Sequence, residues 1–486
     1  MPTYKVHVKW GKEKFNDIEC DADETPIQFK AQLFALTGVQ PSRQKVLTKG
    51  VILKDEDWGN VKLKDGITFL MMGSAEALPA EPTEKTVFLE DMNEQELATA
   101  LELPPGLSNL GNTCYMNATL QCLRAIPELK ECLKSHSRNR NTTPADSITR
   151  AMQDLFNLMN LQSTAISPLF FLNVLQMTFP RFAEKGEQGL FMQQDANECW
   201  TEVVRCLQQS LSQSMVDQPS EASEGSVASS SKKFIDLFMG GEFEVVMKCS
   251  EMTDEDVSKS VEKFYQLSCF IEKEVRYMQA GLKSGLEETI TKFSPSLGRD
   301  AQYTKSSKIS RLPGYLSIQF VRFFYKEKES INAKILKDVK FPLNLDVYDL
   351  CTEELQKKLV PTRDKYKIME DRKAEEQSKA KYDKEYAKAL EARKLKTEAY
   401  SFSGDEGSNN SGFYELKAVL THKGRSSSSG HYVAWIRKKG DEWIMFDDDK
   451  VSPILSEDIL KLSGGGDWHC AYVLLYGPRP LQLEEK

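Results

Sequence analysis

A single cysteine, Cys114, lies where a loop rich in glycine and asparagine gives way to a helical pattern. The surrounding residues 106–118 read GLSNLGNTCYMNA. A helix that begins near Thr113 would direct its first unpaired backbone N–H groups at the sulfur and favour the thiolate. Most cysteines in proteins are small buried side chains. Cys114 is therefore a candidate nucleophile only if the chain supplies partners for it.

The candidate partners lie more than 300 residues downstream, in a predicted β-hairpin over residues 429–449. Two apolar runs flank Lys438-Lys439-Gly440, which predicts a three-residue loop with its glycine in the left-handed conformation. This register places His431 directly opposite Asp447. The carboxylate could then orient one imidazole nitrogen while the other addresses a thiol. A two-residue turn would instead place Asp448 opposite the histidine.

Other residues near this hairpin receive ordinary structural interpretations. Asp448 and Asp449 are expected to be solvated turn residues. His469 is a weaker alternative to His431 as the base, and His422 is expected to be structural.

A run of four serines, Ser426, Ser427, Ser428 and Ser429, comes immediately before the hairpin histidine. It is either a plain linker or a gate that obstructs the site until a partner moves it. Ser428 follows Lys423-Gly424-Arg425, a weak kinase motif, and phosphorylation there would add about −2 of charge and could displace the loop.

The cysteine segment resembles the cysteine box of the ubiquitin-specific proteases. Gly430-His431-Tyr432 and Phe446-Asp447-Asp448 resemble the histidine box of the same family. The resemblance covers nearly every segment up to about residue 478 and extends to the proteasome-associated members of the family. It implies that Cys114 attacks the carbonyl of the last ubiquitin glycine, that His431 is the general base and acid, and that Asp447 orients it.

Asn109 lies five residues before the cysteine on the same predicted turn. Its side-chain amide could donate to the oxyanion alongside the backbone N–H of Cys114, and such a donor is worth about 3 kcal/mol. Alternatively, Asn109 is a turn residue that satisfies its own backbone. The sequence leaves both interpretations open.

Residues 193–198, QQDANE, match a second box of the family. The resemblance places Asp195 and Glu198 near the ubiquitin tail, whose arginines need carboxylate partners. Gln194 and Tyr432 are further expected substrate contacts within the family's motifs. Without the resemblance, the segment is a capped helix start with Asp195 as the cap. Aromatic and cationic residues at 322–326 predict either a loop over the tail or the end of a core strand.

Composition limits the class of protein. The chain has 486 residues, of which 40% are hydrophobic and 28% charged, as in a soluble globular chain of two to four domains. Its formal net charge of −8 gives no basic excess for nucleic acid. No apolar run approaches the roughly 18 residues of a membrane span, and the N-terminus lacks a signal-peptide hydrophobic region. We therefore expect a cytoplasmic location, possible nuclear residence, and no nucleic-acid or membrane partner.

The ten cysteines are scattered along the chain and are expected to be reduced thiols. Many ubiquitin-specific proteases carry two Cys-x-x-Cys pairs in a fingers subdomain. The comparable strands here offer only Cys249 and Cys269, each alone. Two ligands cannot close a tetrahedral structural zinc site, so we predict no metal and no organic cofactor.

Residues 3–10 alternate strictly, which predicts a half-buried strand. A second strand follows near residues 15–20, then a helix with Phe29, Leu33 and Leu36 on one stripe, and then short strands. This order resembles a ubiquitin-like β-grasp domain over residues 1–76. The segment lacks a terminal Gly-Gly and is expected to dock. The resemblance implies a ubiquitin-receptor subunit of the 26S proteasome regulatory particle as its partner.

Low-complexity segments divide the rest of the chain. Residues 77–102 predict a flexible linker. Residues 103–480 predict a catalytic domain, which the resemblance implies to be an α+β, papain-like domain with fingers, palm and thumb. An insertion near 212–233 is expected to be disordered. A second, near 362–410, is expected to be a solvated helix or disordered, because it lacks an apolar stripe wide enough to dock.

The sequence therefore predicts a cysteine-protease deubiquitinase that docks on the proteasome and trims ubiquitin from conjugates. Two other classes compete with this hypothesis. One is a catalytically idle subunit that binds ubiquitin, and the other is an enzyme that cleaves a different ubiquitin-like modifier.

Overall fold

The computed structural model describes most of the chain in two units, Met1–Phe88 and Leu89–Lys486, which are treated separately. The described residues are 3–59, 61–75, 103–137, 143–187, 189–211, 233–252, 257–326, 331–383, 395–426 and 429–484. Within these ranges, no helix combines the length and the apolar character needed to cross a membrane. The predicted linker at 77–102 and nearly all of the insertion at 212–233 lie outside the described residues.

The N-terminal unit is a five-stranded sheet packed on one helix. Its elements are β1 (Thr3–Trp10), β2 (Glu13–Asp21), α1 (Pro26–Thr37), β3 (Lys45–Thr48), β4 (Val51–Ile52) and β5 (Thr68–Met72). The strand order is β2-β1-β5-β3-β4. β1 pairs antiparallel with β2 and parallel with β5. The first and last strands of the unit are therefore neighbours at the centre of the sheet.

The helix of this unit buries a different stripe from the predicted one. Phe29 and Leu33 are buried as predicted, but Leu36 is 49% exposed, so the prediction for it is wrong. Thr37 is buried instead, because it continues the three- and four-residue spacing that starts at the beginning of the helix. Its hydroxyl donates to the Leu33 carbonyl at 2.6 Å. Gly38, with φ +68°, ends the helix.

The second unit begins with a layer of helices that includes the one starting at Cys114. The helices of the unit are α2 (Cys114–Arg124), α3 (Pro127–Ser135), α4 (Pro144–Leu161), α5 (Leu169–Thr178), α6 (Ala196–Ser210), α7 (Phe234–Phe238), α8 (Met278–Ser284), α9 (Glu353–Ala380) and α10 (Ser456–Leu460). Every residue of α2 from Cys114 to Leu123 is buried. Packing on all sides therefore fixes the helix end that carries the cysteine.

The strands of the second unit form a large sheet and a smaller one. They are β6 (Gly241–Cys249), β7 (Ser258–Phe264), β8 (Leu267–Phe270), β9 (Glu287–Ser294), β10 (Arg299–Arg311), β11 (Leu316–Val321), β12 (Phe323–Lys326), β13 (Ile331–Lys334), β14 (Asn344–Asp346), β15 (Leu395–Thr397), β16 (Phe413–Ser426), β17 (Ser429–Lys439), β18 (Glu442–Asp447), β19 (Lys450–Leu455), β20 (Cys470–Pro478) and β21 (Gln482–Glu484). The ten-stranded sheet follows the path β19-β18-β17-β16-β20-β11-β8. The four-stranded sheet has the order β7-β6-β10-β9, and β15 pairs with β21. The unit thus mixes helices and sheets.

The segment predicted to be a solvated insertion near 362–410 is partly packed. Helix α9 continues to Ala380, and its Tyr366 and Met369 are buried against Leu481 and Phe413. The prediction that this segment has no stripe able to dock is wrong, because two large side chains three residues apart suffice when a neighbouring strand covers them. Residues 384–394 of the segment lie outside the described part of the chain.

Cys249 and Cys269, the two cysteines considered above as zinc ligands, lie in different apolar clusters. Cys249 packs with Ala301 and Tyr303 at one end of the small sheet. Cys269 is fully buried on β8, among the residues of the large sheet. Each of the two cysteines therefore packs among apolar side chains.

The packing of α9 predicts a local stability difference between two adjacent side chains. Met369 is 3% exposed and Ile368 is 68% exposed. Met369→Ala should lower the opening free energy of the helix by about 2 kcal/mol or more, since it leaves a cavity. Ile368→Ala should change it by less than about 0.5 kcal/mol. Amide hydrogen exchange in α9 measures the opening free energy in both variants. Equal protection in the two variants would contradict docking of the helix.

Candidate active site

Cys114 is the first residue of α2, as the sequence predicts. The loop before it turns sharply, with positive φ at Gly111 and Asn112. The hydroxyl of Thr113, the residue before the helix, accepts from the Leu110 backbone N–H at 2.9 Å. The thiol is 3% exposed and lies beside the unpaired N–H groups of the first helical turn. The local structure therefore places the sulfur at the positive end of a helix.

The hairpin that carries His431 has a different register from the predicted one. Ala434 pairs with Phe446, and after a register shift Lys439 pairs with Glu442, so the loop has two residues and not three. The glycine of the loop does adopt the predicted left-handed conformation, with φ +57°. Continuation of this pairing puts Asp447 opposite Val433, two residues from the predicted partner. The prediction of direct opposition is wrong.

The error in register does not separate His431 from Asp447. Side chains of a strand alternate between faces, so a shift of two residues leaves both on the same face as diagonal neighbours. The Nε2 atom of His431 lies 2.5 Å from the Oδ1 atom of Asp447. The sequence thus identified the correct pair, although the hydrogen bond runs diagonally across the two strands.

The imidazole of His431 interacts with the thiol of Cys114 as well as with the carboxylate of Asp447. The hydrogen bond that the imidazole donates to Asp447 is the largest cause that raises the pKa of His431 to about 10; the nearby thiol of Cys114 adds to it, and burial opposes it. The same bond with His431 lowers the pKa of the Asp447 carboxyl group. One ring with two such partners can both hold a proton and pass it on.

Asp448 is not the solvated turn residue that the sequence predicts. It is 9% exposed, has φ +55°, and accepts from Asn109 Nδ2 at Oδ2 and from Asn117 Nδ2 at Oδ1, both at 2.8 Å. Burial raises the pKa of its carboxyl group. Its backbone carbonyl accepts from the Leu107 N–H at 2.9 Å. Asp448 therefore connects the turn after β18 to both ends of the cysteine segment.

The close approach of these two segments depends on a glycine. A Cβ atom at Gly106 would lie 2.7 Å from the backbone carbonyl oxygens of both Asp448 and Asp449. Sequence reasoning missed this contact, and it missed Asn117 and the burial of Asp448. The available signal was an asparagine on α2, where a buried amide needs a partner.

Asn109 has the contacts of a turn residue, which is one of the two interpretations that the sequence left open. Its Oδ1 atom accepts from the Gly111 N–H at 2.9 Å and from the Thr113 N–H at 3.3 Å, as a turn residue would. Its Nδ2 atom donates to Asp448. The amide is therefore held at both ends, within the turn that precedes the cysteine.

The second motif forms the start of α6. Asp195 caps the helix by accepting from the backbone N–H groups of Asn197 and Glu198, which confirms the capping prediction. The Tyr472 hydroxyl lies within 2.9 Å of both carboxylate oxygens of Asp195. Glu198 is exposed and lies 3.6 Å from Arg181, while Gln194 is half-buried.

Tyr432 does not present its side chain to an open surface. It is 1% exposed, and its ring packs 4.7 Å from the His422 ring and 6.3 Å from the Tyr472 ring. The side chain is therefore packed inside the unit, between neighbouring rings. Strand alternation explains this position, because Tyr432 points to the opposite face of β17 from its neighbour His431.

Strands β16 and β17 pair with each other on the two sides of the serine run. Ser426 pairs with Ser429, and Ser427 and Ser428 lie outside the described residues. Gly424 and Gly430 flank this pairing with φ near +130°. A Cβ atom at Gly430 would lie 2.1 Å from the Lys423 carbonyl oxygen, so the close approach of the strands requires glycine there.

Arg322 and the two other histidines near the site are buried. The guanidinium of Arg322 donates to the backbone carbonyls of Ala471 and Ser463, among others, which favours the core-strand interpretation of this segment. Burial is the main cause that lowers the pKa of His422 to about 3 and that of His469 to about 4. His422 is therefore structural, as predicted, and His469 is poorly suited to act as the base.

The site thus has the parts of a thiol peptidase, namely a cysteine at a helix start, an imidazole that addresses it, and a carboxylate that orients the imidazole. Residues 105–476 match the family model of the ubiquitin carboxyl-terminal hydrolases. The chain belongs to this family of cysteine peptidases.

Proteins of the same family resemble the chain over nearly its whole length. Ubiquitin carboxyl-terminal hydrolase 6 of Arabidopsis thaliana is 42% identical over 495 residues, which cover 99% of each protein. Ubiquitin carboxyl-terminal hydrolase 14 of Caenorhabditis elegans is 42% identical, over 98% of this chain and 94% of that protein. Ubiquitin carboxyl-terminal hydrolase 6 of Schizosaccharomyces pombe is 40% identical, over 97% and 98%.

A solved structure supports the fold of the second unit. The SAGA Ubp8/Sgf11/Sus1/Sgf73 DUB module bound to ubiquitin aldehyde contains a chain with 19% sequence identity and a TM-score of 0.50. The match covers 78% of this chain and 70% of that one. At this level of identity the likeness concerns the fold alone.

The hydrogen bond to Asp447 predicts a pH shift at His431. Because this bond is the largest cause of the raised pKa, Asp447→Asn should move the midpoint of His431 from about 10 down towards 6.5. Carbon-13 labelling of the imidazole Cε1 atoms allows an NMR titration of the intact chain, which has five histidines. By linkage, the interaction should stabilise the fold fully below pH 6.5 and be lost as the pH rises through about 10.

Asp449→Asn is the matched control, since it removes the same charge from an exposed position of the same turn. It should leave the His431 midpoint in place. An unchanged midpoint in Asp447→Asn would show that the carboxylate does not set the protonation of the imidazole.

Proposed function

We propose that the chain hydrolyses the bond after the C-terminal glycine of ubiquitin in conjugates, with Cys114 as the nucleophile. His431 is the general base and acid, and Asp447 orients it. The observation that carries the proposal is the hydrogen bond between His431 and Asp447, in which the same imidazole has its pKa raised by the nearby thiol of Cys114 at the helix start. Membership of the ubiquitin carboxyl-terminal hydrolase family supports the substrate class.

The proposed reaction has two stages. His431 takes the proton of the Cys114 thiol, the resulting thiolate adds to the carbonyl carbon, and the C–N bond breaks as the amine leaves with that proton from His431. Ubiquitin then remains attached to Cys114 as a thioester. In the second stage His431 takes a proton from water, the oxygen adds to the thioester carbon, and the C–S bond breaks to release the ubiquitin carboxylate.

The backbone N–H of Cys114 and the side-chain amide of Asn109 are the proposed donors to the oxyanion. One Nδ2 hydrogen of Asn109 is used by Asp448, and the amide group has a second one. Its Oδ1 atom is fixed by the turn that precedes the helix. A donor held in this way needs no reorientation when charge develops, which is the source of its effect on the rate.

Residues around the start of α6 and the serine run are proposed to act on the ubiquitin tail. Glu198 is exposed and can pair with a cationic tail residue. Asp195 uses its oxygens for Tyr472 and the helix start, but a carboxylate has about four acceptor positions. Gln194 is assigned to the same contact region. The paired segment at Ser426 and Ser429 is proposed to gate access, since it borders His431 directly.

Ubiquitin with a C-terminal electrophile tests the catalytic proposal. The full chain should be labelled at Cys114, with or without proteasomes, and Cys114→Ala should abolish the label. His431→Ala should slow labelling by at least about 100-fold, the usual value of a positioned base. Cys132→Ala, at a half-buried cysteine of α3, is the matched control and should react like the wild type.

The other outcomes favour the competing classes. Absence of labelling under both conditions would leave an idle subunit that binds ubiquitin. Stronger reaction with another member of a panel of ubiquitin-like probes would identify a different modifier as the substrate.

We also propose that the N-terminal unit is a ubiquitin-like β-grasp domain that docks on the 26S proteasome regulatory particle, in the cytoplasm or the nucleus. The support is an apolar row on the outer surface of its sheet. Leu47 pairs with Ile52 on β4 and with Leu70 on β5. Ile52 is 50% exposed and Leu70 is 41% exposed. Leu47 is half-buried between them. An apolar row of this kind, exposed on two neighbouring strands, is typical of an interaction surface.

This surface predicts a docking defect that can be separated from folding. Leu70→Asp should weaken binding of the full chain to purified 26S proteasomes by at least about 10-fold, because it puts a charge in an apolar interface. Leu36→Asp, at a similarly exposed leucine on α1, should bind like the wild type. Co-sedimentation with proteasomes measures both. If Leu70→Asp binds normally while Leu36→Asp does not, the docking face is the helix and not the sheet.

A further inference from the structure

A cavity of about 500 Å³ opens beside β8, the strand at the far edge of the ten-stranded sheet from the Asp447 hairpin. Its floor is apolar and comes from β6, β8, α8, β10 and nearby turns. The floor residues are Phe243, Leu267, Phe270, Leu282, Leu286, Ile309 and Leu350. Phe270 is 43% exposed at the mouth. The volume lies within the range of sites that bind side chains and small ligands.

The rim of this cavity is acidic. Glu272, Glu287 and Glu288 line it, and no lysine or arginine is among the lining residues that the structure describes. All three glutamates are exposed. Lys305 lies opposite Glu288 on the neighbouring strand, but its ammonium group pairs with Glu262 at 2.9 Å. Among the described residues none of these three glutamates forms an ion pair, although Lys337 Nζ lies 2.8 Å from the backbone carbonyl oxygen of Glu272. The rim therefore carries negative charge.

The cavity is distant from the proposed catalytic residues. Four strand spacings separate β8 from β17, which carries His431. At the usual spacing this is about 19 Å. The floor residues Leu267, Leu282, Ile309 and Leu350 belong to a different core cluster from Cys114. An occupant of the cavity would therefore leave Cys114 accessible.

We propose that this cavity binds a peptide segment of a partner protein that places one large apolar side chain on the floor and flanking lysine or arginine residues against the three glutamates. The apolar floor supplies the affinity of the anchor. The acidic rim selects basic flanks and rejects acidic ones. The proposal concerns a surface separate from the catalytic residues and does not depend on the proposed hydrolysis.

Three fluorescent peptides of equal length test the proposal with the full chain at 0.15 M salt. The first has a central phenylalanine between lysine and arginine residues, the second replaces that phenylalanine with alanine, and the third replaces the cations with glutamate. Anisotropy should show binding of the first peptide and at least about 10-fold weaker binding of the other two. Hydrogen exchange should place the protected segments at β8 and the turn before β9.

Paired variants separate this site from general attraction to an acidic chain. Glu287→Lys/Glu288→Lys should weaken binding of the first peptide by at least about 10-fold. Asp371→Lys/Glu375→Lys makes the same charge change at exposed positions of α9 and should have little effect. Phe270→Ala should weaken binding, whereas Phe293→Ala, at a 57% exposed phenylalanine of β9, should not.

The proposal would be overturned by any of three results. The first is no binding of any peptide at about 1 mM, where a specific pocket should be half filled at the weakest useful affinity. The second is an equal loss of peptide binding in the matched control variants. The third is protection at another surface, or at a contact between two copies of the chain. Labelling of Cys114 by the ubiquitin electrophile should be unchanged in every variant, which keeps this test separate from that of the catalytic proposal.

Discussion

The buried carboxylate of Asp448 joins two parts of the chain that are more than 300 residues apart in sequence. A buried charge is costly unless its oxygens are hydrogen-bonded, and both oxygens of this one accept from amides, those of Asn109 and Asn117. Asp447 is the residue directly before Asp448, at the end of β18. The bonds that satisfy the buried charge therefore also fix the orienting carboxylate relative to the helix of Cys114. Gly106 permits this approach, since no side chain fits between the two backbones.

The pairing of His431 with Asp447 could be predicted from the sequence, because it depends on the alternation of side chains between the two faces of a strand. The predicted register was wrong by two residues, because the loop is Gly440-Asp441 instead of Lys438-Lys439-Gly440 and a register shift follows between Arg437 and Lys439. An even shift preserves the face, so the pair survived the error. An odd shift would have put Asp447 on the other face. The helix starts at Cys114 and Asp195 were also predictable, because capping and turn residues act locally.

The features that sequence reasoning missed all depend on distant contacts. Three consecutive aspartates look like a solvated turn, and only the amides of Asn109 and Asn117 make Asp448 a buried residue. Tyr432 belongs to a family motif, yet strand alternation turns it away from the face of His431. Met369 lies in a strongly charged segment and is buried because Leu481, more than 100 residues later, covers it. Periodicity describes one element at a time, whereas each of these outcomes depends on what packs against that element.

The three histidines around the site share a chemistry but differ in environment. Burial keeps His422 and His469 neutral, with pKa values lowered to about 3 and about 4. Asp447 and Cys114 raise the pKa of His431 to about 10, so this imidazole keeps its proton across the physiological range. A change of pH near neutrality would therefore alter none of the three. Regulation of the proposed reaction through access or alignment does not need a change in these charges. The strand ends at Ser426 and Ser429, which border His431, are the nearest described elements that could provide it.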